Sequence, residues 1–587
     1  MLRYHIIIEC KERYFMEKAM KLYKSWLSYS LEDADLSAEL RSIENDEEAI
    51  FDRFYRDLSF GTAGLRGVIG AGTNRMNIYT VRRATQGLAD MLKNKKSNPS
   101  VAISYDSRIK SDLFAKEAAT VLASNGIKVH LTNRLMPTPV LSFCVRYFNA
   151  DAGIMITASH NPSEYNGYKA YGPDGCQMNA EDSAEVLKYA EQTDIFGANT
   201  SLSFEKALEN KMIEYIEQSV YEDYYNRVAG ESVCPEAIAN SDLKIVYTAL
   251  NGTGNEPVRH IFEKMGVKNV SVVAEQEMPD GNFTTCPYPN PEIKEALALG
   301  IKKCIDEEAD LLVATDPDAD RVGIAVRGAD GKVRLMSGNA VGVLLIDYIA
   351  KRRIEKGTMP KAPIAIKSIV TTSLAEWVAK KYGIEMKNVL TGFKYIGEQI
   401  RLLEEKGEAD RFVLGYEESY GYLTGSFVRD KDAVITSMLI VEMASFYKAE
   451  GKTLLDVYAQ IEKEFGIYHH GVDSFKFAGA KGLKKMQAIM QSLREGAPRE
   501  IAGLKVVSVL DYQSRVKTKL ESGEQSEIEL PAANVLEFRI ENNCKLMVRP
   551  SGTEPKIKFY YTAVSDSKEA AEKLCADLAD FAKKTIE

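Results

Sequence analysis

Histidines, paired cysteines and long apolar runs are scarce in this sequence, and each scarcity excludes a class of protein. Six histidines among 587 residues make a histidine-based catalytic triad hard to assemble. The eight cysteines are scattered with no C-x-x-C pair, which argues against a zinc ribbon or redox motif and favours a reducing compartment. No apolar run approaches the ~20 residues that cross a membrane. We therefore expect a cytoplasmic protein that does not contact a membrane.

The net charge of −9 argues against a nucleic-acid-binding protein, because such proteins carry basic surfaces. An anionic small molecule remains compatible with this charge, since a local cluster of Arg and Lys can bind phosphate inside an acidic protein. Hydrophobic residues make up 45% and charged residues 27% of the chain, which is ordinary for a globular protein. At roughly 150 residues per domain, the length corresponds to about four domains.

Strand-like runs alternate with helical patterns through most of the chain, which favours α/β units. This order occurs in three similar blocks, and the last part of the chain instead predicts antiparallel strands followed by an amphipathic helix. We predict three mixed α/β domains and a C-terminal α+β domain, at residues 1–205, 206–326, 327–460 and 461–587. Residues 1–15 lack the small-residue cleavage site of a signal peptide, so we expect them to be an extension.

Two further expectations concern single elements. The pattern predicts a helix over residues 290–309 and a turn over residues 390–397. Each block also contains a strand that ends in an unusual polar loop, namely TASHNP, TDPDADR and GYEESYG. Because open parallel sheets bind ligands outside the carboxyl ends of their strands, we expect these loops to face one shared cleft.

The second loop places Asp316, Asp318 and Asp320 at alternate positions after an apolar run. Three carboxylates this close repel one another, so a cation is expected, and oxygen ligands favour a hard ion such as Mg²⁺. An EF-hand would need Gly and Glu where Arg321 and Arg327 stand. The loop also partly resembles that of haloacid-dehalogenase-like phosphatases, although Asp320 occupies a position where that family usually has Thr or Val. A solvated acidic turn is the remaining alternative.

The first loop places Ser159 at the tip of a strand. The G-x-S-x-G motif of serine hydrolases is absent, because Thr157 and Asn161 flank this serine. His160 is adjacent in sequence and projects away from its neighbour, which weakens a Ser–His relay. A serine that carries a phosphoryl group is the better chemical role, with Lys169 adding positive charge. A simple turn remains the alternative.

The third loop contains Glu417, Glu418 and Ser419, whose acceptors and hydroxyl suit the hydroxyls of a sugar. An exposed charged loop is the alternative.

Lys431 lies in the segment VRDKDAV and is a candidate proton shuttle, because burial in a cleft readily lowers a lysine pKa.

A phosphate-binding loop is predicted near the C-terminus, in RPSGTEPKIKF. It lacks the G-x-x-x-x-G-K-[ST] pattern of a P-loop but combines hydroxyls, a flexible glycine and cations in Arg549, Ser551, Gly552, Thr553, Lys556 and Lys558. FGTAGLRG, with Thr62 and Arg66, is a similar loop near the N-terminus. A phosphate holder separate from the serine suits the transfer of a phosphoryl group within one sugar.

Together TASHNP, DPDADR, GYEES and RPSGTEPK, in this order, resemble the α-D-phosphohexomutase family and most closely its phosphoglucomutase/phosphopentomutase branch. The resemblance spans nearly the whole chain. It implies four domains around a central cleft, and a Mg²⁺ ion held by phosphorylated Ser159 and the three aspartates. It also implies interconversion of glucose 1-phosphate and glucose 6-phosphate, with glucose 1,6-bisphosphate as intermediate and priming cofactor.

The resemblance also implies residue roles. Arg321 would lie beside the transferred phosphate, and proton transfer or charge stabilisation would fall to Arg66, His160, Lys169 and Lys431. The sugar would be bound by Thr391, Gly392, Glu417 and Ser419, and the phosphates by Thr62, Arg549, Ser551, Gly552, Thr553 and Lys558. The sequence departs from the family at Tyr416, where Gly is frequent, and at Lys558, where some members have Arg.

Several alternatives remain open at this point. A phosphopentomutase or a phosphomannomutase would share the chemistry, and a sugar-phosphate phosphatase is more remote. The expected partner is a small sugar phosphate rather than a nucleic acid or a membrane. The protein is expected to be a monomer or a homodimer.

Overall fold

The structure is a computed structural model and describes residues 2–58, 64–477, 479–551 and 556–587; of residues 2–13, 479–481 and 483 only the backbone is described. The chain forms two compact units. The first unit comprises Met1–Arg327 with Gly421–Glu442, and the second comprises Gly328–Tyr420 with Met443–Glu587.

The α-helices of the described residues are, in chain order, α1 (Leu2–Ser28), α2 (Ala34–Ser42), α3 (Glu47–Phe54), α4 (Ile78–Lys95), α5 (Ser111–Ser124), α6 (Thr138–Tyr147), α7 (Ala180–Gln192), α8 (Phe204–Glu209), α9 (Gln218–Gly230), α10 (Pro235–Ala239), α11 (Asn255–Lys264), α12 (Ala298–Asp306), α13 (Gly338–Glu355), α14 (Leu374–Lys381), α15 (Phe393–Glu405), α16 (Ala433–Ala449), α17 (Leu454–Phe465), α18 (Gly479–Glu495) and α19 (Lys568–Ile586). Within the described part of the chain, none of them is long and apolar enough to span a bilayer.

The β-strands are β1 (Gly64–Val68), β2 (Ser100–Tyr105), β3 (Lys128–Leu131), β4 (Ala152–Ile156), β5 (Tyr165–Tyr171), β6 (Ile213–Tyr215), β7 (Lys244–Thr248), β8 (Asn269–Val272), β9 (Leu311–Thr315), β10 (Val322–Arg327), β11 (Val333–Met336), β12 (Ile364–Ser368), β13 (Glu385–Val389), β14 (Phe412–Glu417), β15 (Gly421–Leu423), β16 (Ile467–Lys476), β17 (Glu500–Ile501), β18 (Leu504–Asp511), β19 (Val516–Lys519), β20 (Gln525–Glu527), β21 (Leu536–Ile540), β22 (Lys545–Pro550) and β23 (Lys556–Ser565).

The first unit contains two mixed sheets. In the first, the strand order is β1-β5-β4-β2-β3-β6, with β4, β2, β3 and β6 parallel and with β5 and β1 antiparallel to their neighbours. In the second, β10, β9, β7 and β8 are adjacent in that order, and only β10 is antiparallel to its neighbour. The first sheet includes β6 and therefore extends beyond residue 205, where the sequence predicted a domain boundary.

Two central strands of this unit are buried along their whole length. Every residue of β4 and of β9 is buried, and both strands are continuous apolar runs up to Ile156 and Ala314. Such runs are typical of strands covered on both faces. Each strand then turns back into an antiparallel neighbour, β5 or β10, so the polar loop at its carboxyl end is also a hairpin connection.

The second unit contains a parallel sheet and an antiparallel one. β13, β12 and β14 are parallel neighbours, and β14 carries the third polar loop. The antiparallel sheet has the order β16-β23-β22-β21-β18-β19-β20, and α19 packs on β23 and β16. The three mixed α/β segments and the C-terminal α+β segment confirm the fold class predicted from the sequence.

Two local predictions were wrong. Residues 290–309 form a helix only over α12, because the preceding segment is a series of tight turns in which Ile293 bonds Asn290 and Ala296 bonds Ile293, three residues apart. Residues 390–397 are not all a turn, since α15 begins at Phe393. Its buried positions Phe393, Ile396, Ile400 and Leu403 have helical spacing, which the two glycines of the segment obscured.

The core of the first unit includes the second half of α1. Trp26 is 1% exposed, and its ring lies 5.8 Å from Phe54, 5.5 Å from Tyr79 and 5.2 Å from Phe196, centroid to centroid. These partners belong to α3, α4 and the segment after α7. The indole therefore packs the N-terminal helices against α4 and the segment after α7.

We predict that Trp26→Ala destabilises the first unit by about 3–5 kcal/mol, because a large buried aromatic side chain is lost from a packed core. The chain offers a matched control in its other tryptophan, Trp377, which is 39% exposed. Trp377→Ala should cost about 1 kcal/mol or less. Calorimetric and urea unfolding of both variants measure the difference, and equal losses would contradict the assignment of Trp26 to the core.

Candidate active site

The serine loop begins where β4 ends. Ser159 is 4% exposed and has a left-handed backbone with φ of 51°, which is uncommon for a residue other than glycine. Its N–H donates to Thr157 Oγ1 at 2.8 Å, and the N–H of Asn161 donates to the Ala158 carbonyl at 3.1 Å. The Ser159 hydroxyl donates to Asp318 Oδ2 at 3.1 Å. The serine and acidic loops therefore meet at the Ser159 hydroxyl.

The three aspartates of the acidic loop form one buried cluster. Asp316 and Asp318 are fully buried and Asp320 is 2% exposed. One carboxylate oxygen of each can be chosen so that all three lie within 4.8 Å of one another. Asp316 Oδ2, Asp318 Oδ1 and Asp320 Oδ1 are each buried and have no hydrogen-bond partner among the described residues. Three such oxygens fit a divalent cation, because unpaired buried carboxylate oxygens are otherwise costly.

Backbone contacts hold the acidic loop in place. Asp316 Oδ1 accepts from the N–H groups of Asp320 and Arg321 at 3.1 and 3.0 Å. The Pro317 carbonyl accepts from the N–H and the hydroxyl of Thr253 at 2.8 and 3.0 Å. Gly252 lies so close to this loop that a Cβ atom there would be 2.4 Å from Pro317 Cα. The loop after β7 therefore supports the loop after β9.

Asp318 Oδ2 accepts hydrogen bonds from several side chains of the site. Besides the serine hydroxyl, it accepts from Thr138 Oγ1 at 2.9 Å and from Lys169 Nζ at 2.7 Å. Thr138 is the first residue of α6, and its N–H donates to the Asp318 carbonyl at 2.9 Å. Lys169 lies on β5 opposite Met155, so the β4–β5 hairpin returns it to the serine. Sequence reasoning missed Thr138.

Lys431 is a second lysine that contacts the aspartate cluster, through Asp320. Its Nζ is 3.0 Å from Asp320 Oδ2 and 3.0 Å from Asp430 Oδ1. Asp430 Oδ2 accepts from Tyr171 OH at 2.7 Å and from Gln177 Nε2 at 3.0 Å. A Cβ atom at Gly421 would lie 2.1 Å from Lys431 Cδ, so this glycine leaves room for the lysine. Asp430 and Tyr171 are further contributors that sequence reasoning missed.

The electrostatics of the aspartates differ although all three are buried. Burial and the neighbouring Asp318 and Asp320 charges raise the pKa of Asp316 well above its usual value. Burial acts the same way on Asp318 and Asp320, but the lysines Lys169 and Lys431 outweigh it and lower the pKa of both. Lys169 and Lys431 thus favour the ionised forms of Asp318 and Asp320, whereas burial and repulsion dominate at Asp316.

Three other predicted residues lie on the serine and acidic loops or beside them. Arg66, on β1, donates to Asn161 Oδ1 at 3.3 Å. Arg321 pairs with Glu292 at 2.6 Å. Burial, with the Arg321 and Arg66 charges, lowers the pKa of His160 well below its usual value, and His160 Nδ1 has no hydrogen-bond partner among the described residues. The imidazole is therefore neutral near pH 7.

The remaining residue that sequence reasoning missed near the serine is Arg108, which follows β2. Its guanidinium donates to four backbone carbonyls of the serine loop, those of Ser159, Asn161, Pro162 and Tyr165. Asp106 lies beside it, 3.4 Å from Arg108 Nε. The sequence did contain a pattern that could have indicated Arg108, because Asp106 and Arg108 directly follow the buried strand β2.

The predicted sugar-binding residues lie in the second unit. Glu417 ends β14, and its Oε1 accepts the Gly392 N–H at 2.8 Å, just before α15. Thr391 Oγ1 is buried without a hydrogen-bond partner among the described residues. Glu418 has a different environment, because its Oε2 accepts from Ser368 and Thr371 hydroxyls at 3.1 and 3.0 Å. Ser419 follows in the same loop. Glu417 and Gly392 are thus brought together, whereas Glu418 is used within the fold.

The predicted phosphate loop joins β22 to β23. Arg549 and Lys558 are cross-strand neighbours, and the Ser551 N–H donates to the Lys556 carbonyl at 2.7 Å. Burial raises the pKa of Tyr560 to about 12, with Glu418 adding to the rise and Arg549 opposing it. Arg549 and Glu418 therefore both lie near the phenol of Tyr560. Gly552 and Thr553, like Thr62 of the N-terminal loop, lie outside the described residues.

Comparison with known proteins decides the family. Models of the three α/β/α domains and the C-terminal domain of phosphoglucomutase/phosphomannomutase match residues 57–195, 222–331, 337–465 and 498–581. The chain belongs to the phosphoglucomutase/phosphomannomutase family. This assignment confirms the α-D-phosphohexomutase resemblance drawn from the four motifs.

Similar members of this family include phosphoglucomutases of staphylococci. The phosphoglucomutase of Staphylococcus haemolyticus is 41% identical over 520 residues, which cover 88% of this chain and 92% of that protein. The phosphoglucomutase of Staphylococcus aureus strain MRSA252 is 38% identical, covering 89% of this chain and 93% of that protein. The described site residues lie inside the segments that the four domain models match.

Solved structures of the family share the fold. Pp63/parafusin of Paramecium, a phosphoglucomutase, has a TM-score of 0.66 at 17% identity, with 91% of this chain and 95% of that chain covered. A phosphoglucomutase/phosphomannomutase family protein of Burkholderia thailandensis has a TM-score of 0.63 at 19% identity, with coverages of 90% and 97%.

We predict that Asp316→Asn weakens divalent cation binding at least tenfold, because the variant keeps the shape of the side chain but cannot present a carboxylate to the cation. Isothermal titration with Mn²⁺ measures the effect. Asp347→Asn is the matched control, since Asp347 is 8% exposed and is occupied by Tyr382 OH at 2.7 Å, outside the cluster. Equal cation affinities of the two variants would contradict a metal site at Asp316.

Proposed function

We propose that this protein is a Mg²⁺-dependent phosphoglucomutase that interconverts α-D-glucose 1-phosphate and glucose 6-phosphate through a phosphorylated Ser159. The observation that carries the proposal is the contact between the Ser159 hydroxyl and Asp318, within a buried cluster of three aspartates that each keep one oxygen without a hydrogen-bond partner among the described residues. The 41% identity to a staphylococcal phosphoglucomutase supports the choice of glucose.

Two phosphoryl transfers make up the proposed reaction. In the first, the Ser159 Oγ–P bond breaks and a bond forms between phosphorus and O6 of glucose 1-phosphate. The 6-hydroxyl gives its proton to a basic side chain of the site, and Ser159 Oγ takes up a proton as it leaves. The product is glucose 1,6-bisphosphate. In the second, this intermediate turns round, Ser159 Oγ loses its proton and attacks the phosphorus of the 1-phosphate, and the O1–P bond breaks. O1 gains a proton as glucose 6-phosphate leaves. Phosphoserine is regenerated, and glucose 1,6-bisphosphate primes an unphosphorylated enzyme.

The chain's own residues position the serine and balance its charge. Asp318 Oδ2 orients the hydroxyl, and Thr138 and Lys169 fix that oxygen. Lys169 and Lys431 also offset the negative charge that the incoming phosphate adds to the cluster. Proton transfer and charge stabilisation are assigned to His160, Lys169, Lys431 and Arg66, and Arg321 to contact with the transferred phosphate.

Magnesium is the proposed metal. Asp316, Asp318 and Asp320 would hold it together with an oxygen of the Ser159 phosphate, since oxygen ligands suit this ion. When bound, it supplies Lewis-acid stabilisation of the charge on the transferred phosphoryl group.

Substrate binding is assigned to the loops of the second unit and the N-terminal loop. Thr391, Gly392, Glu417 and Ser419 are proposed to bind the sugar hydroxyls. The phosphates are assigned to Thr62, Arg549, Ser551, Gly552, Thr553 and Lys558. Binding one phosphate while the other reacts distinguishes a mutase from a phosphatase.

A phosphomannomutase is the second candidate, because the matched family models name both hexoses. Glucose and mannose differ in the orientation of one hydroxyl, a difference that pocket contacts alone discriminate. A phosphopentomutase would use ribose 1-phosphate in the same chemistry.

We predict that Ser159→Ala abolishes mutase turnover, a loss of more than about 10³-fold, since removing a nucleophile costs several orders of magnitude. Ser163→Ala, in the same loop, is the matched control and should retain wild-type turnover. The measurement is a panel of glucose, mannose and ribose 1-phosphates with and without glucose 1,6-bisphosphate. The largest kcat/KM is expected for glucose 1-phosphate with the bisphosphate present. Steady release of inorganic phosphate independent of the bisphosphate, or full turnover by Ser159→Ala, would refute the proposal.

A further inference from the structure

The conformation of Ser159 is unusual and needs a cause. The residue has a φ of 51° although it carries a side chain and is not glycine. The local bonds that accompany this turn are those of Ser159 N–H to Thr157 Oγ1 and of Asn161 N–H to Ala158. A strained conformation persists only where its surroundings determine it.

Arg108 donates hydrogen bonds to several backbone carbonyls of this turn. It is 3% exposed, and its Nη1 donates to the carbonyls of Pro162 at 2.8 Å and Tyr165 at 3.0 Å. Its Nη2 donates to the carbonyls of Ser159 and Asn161. One planar group therefore ties both ends of the serine loop together. A lysine could not do the same, because its ammonium has no rigid fork of donors.

Asp106 fixes the position of Arg108 and of the turn at once. Its Oδ2 lies 3.4 Å from Arg108 Nε and accepts the Thr157 hydroxyl at 2.6 Å. Its Oδ1 accepts the Arg108 N–H at 2.9 Å and the Ser111 hydroxyl at 2.7 Å. Thr157 in turn accepts the Ser159 N–H. A continuous chain of bonds thus joins the carboxylate to the serine backbone.

A loop of the second mixed sheet covers this pair. The Phe283 ring is fully buried, and Arg108 Cζ lies 5.0 Å from its centroid. A Cβ atom at Gly281 would be 2.7 Å from the Ile109 backbone nitrogen, so the two loops are in close contact. Water is therefore kept away from the guanidinium, which strengthens its bonds to the carbonyls.

We propose that Arg108, anchored by Asp106 and covered by Phe283, is a positioning residue that holds the serine loop in the left-handed turn and so aims Ser159 Oγ at Asp318. The arginine contacts backbone atoms of the loop and acts on the reaction through Ser159. The role rests on the proposed function of Ser159 as the phosphoryl carrier.

Loosening this turn would misplace the reactive oxygen more than it would weaken sugar binding. An error of about 1 Å in the placement of a reacting group costs on the order of 10²-fold in rate. The predicted sugar-binding residues, Glu417 and Gly392, belong to other loops, so KM is expected to change little.

The test compares Arg108→Lys with the wild type in two independent readouts. We expect kcat to fall by roughly 10- to 100-fold with KM changed less than about threefold. In hydrogen exchange of the phosphate-free protein, the amides of Ser159, Asn161 and Tyr165 should exchange at least about tenfold faster, because the bonds that hold the turn are lost. Hydrogen exchange does not depend on catalysis. It therefore tests whether Arg108 holds the serine loop separately from whether the protein is a mutase.

Arg82→Lys is the matched control, because Arg82 is a buried arginine of the same unit that pairs with Glu32 and Glu117 at 2.6 Å. It should change neither readout at the serine loop. Phe283→Leu, which keeps Arg108 but removes the covering ring, should give a smaller change in the same direction and serves if Arg108→Lys does not fold. Wild-type kcat and exchange in Arg108→Lys, or in Phe283→Leu where that variant replaces it, would overturn the proposal.

Discussion

The site in the first unit depends on three buried carboxylates, one oxygen of each lying within 4.8 Å of the others. Neighbouring groups offset the repulsion between them. Lys169 and Lys431 approach the cluster from β5 and from the segment before α16, and the first residue of α6 donates to Asp318. Even so, one oxygen of each aspartate has no hydrogen-bond partner in the described part of the chain. Ser159, the proposed phosphoryl carrier, donates a hydrogen bond to the same cluster.

The loops that build this cluster follow from a simple property of the sequence. β4 and β9 are apolar throughout their buried length, and Ser159 and Asp316 come within a few residues of their ends. Polar residues directly after such a strand had to lie at the carboxyl edge of the sheet. The positions of Ser159 and the three aspartates could therefore be predicted, and the order of the four motifs identified the family. Lys169 was predicted from its closeness in sequence to the serine loop, and the β4–β5 hairpin brings it there. Their individual roles remain predictions.

The residues that sequence reasoning missed depend on contacts between distant segments. Thr138 and Asp318 are 180 positions apart, and Tyr171 and Asp430 are 259 apart, so no local pattern joins them. The two adjacent glutamates of the third loop show the same limit. Both look alike in sequence, yet Glu418 is taken by hydroxyls of Ser368 and Thr371 whereas Glu417 binds the Gly392 N–H. Only the packing of β12 against β14 distinguishes them.

The central claim is that the aspartate cluster holds a divalent cation beside Ser159. Anomalous diffraction from crystals grown with Mn²⁺ tests it most directly. The account predicts one strong peak about 2.0–2.3 Å from Asp316 Oδ2, Asp318 Oδ1 and Asp320 Oδ1, with an oxygen of Ser159 or of its phosphate as a further ligand. The absence of an anomalous peak at the aspartate cluster at saturating Mn²⁺ would contradict this claim. So would a Mn²⁺ ion bound elsewhere in the first unit and not at the cluster.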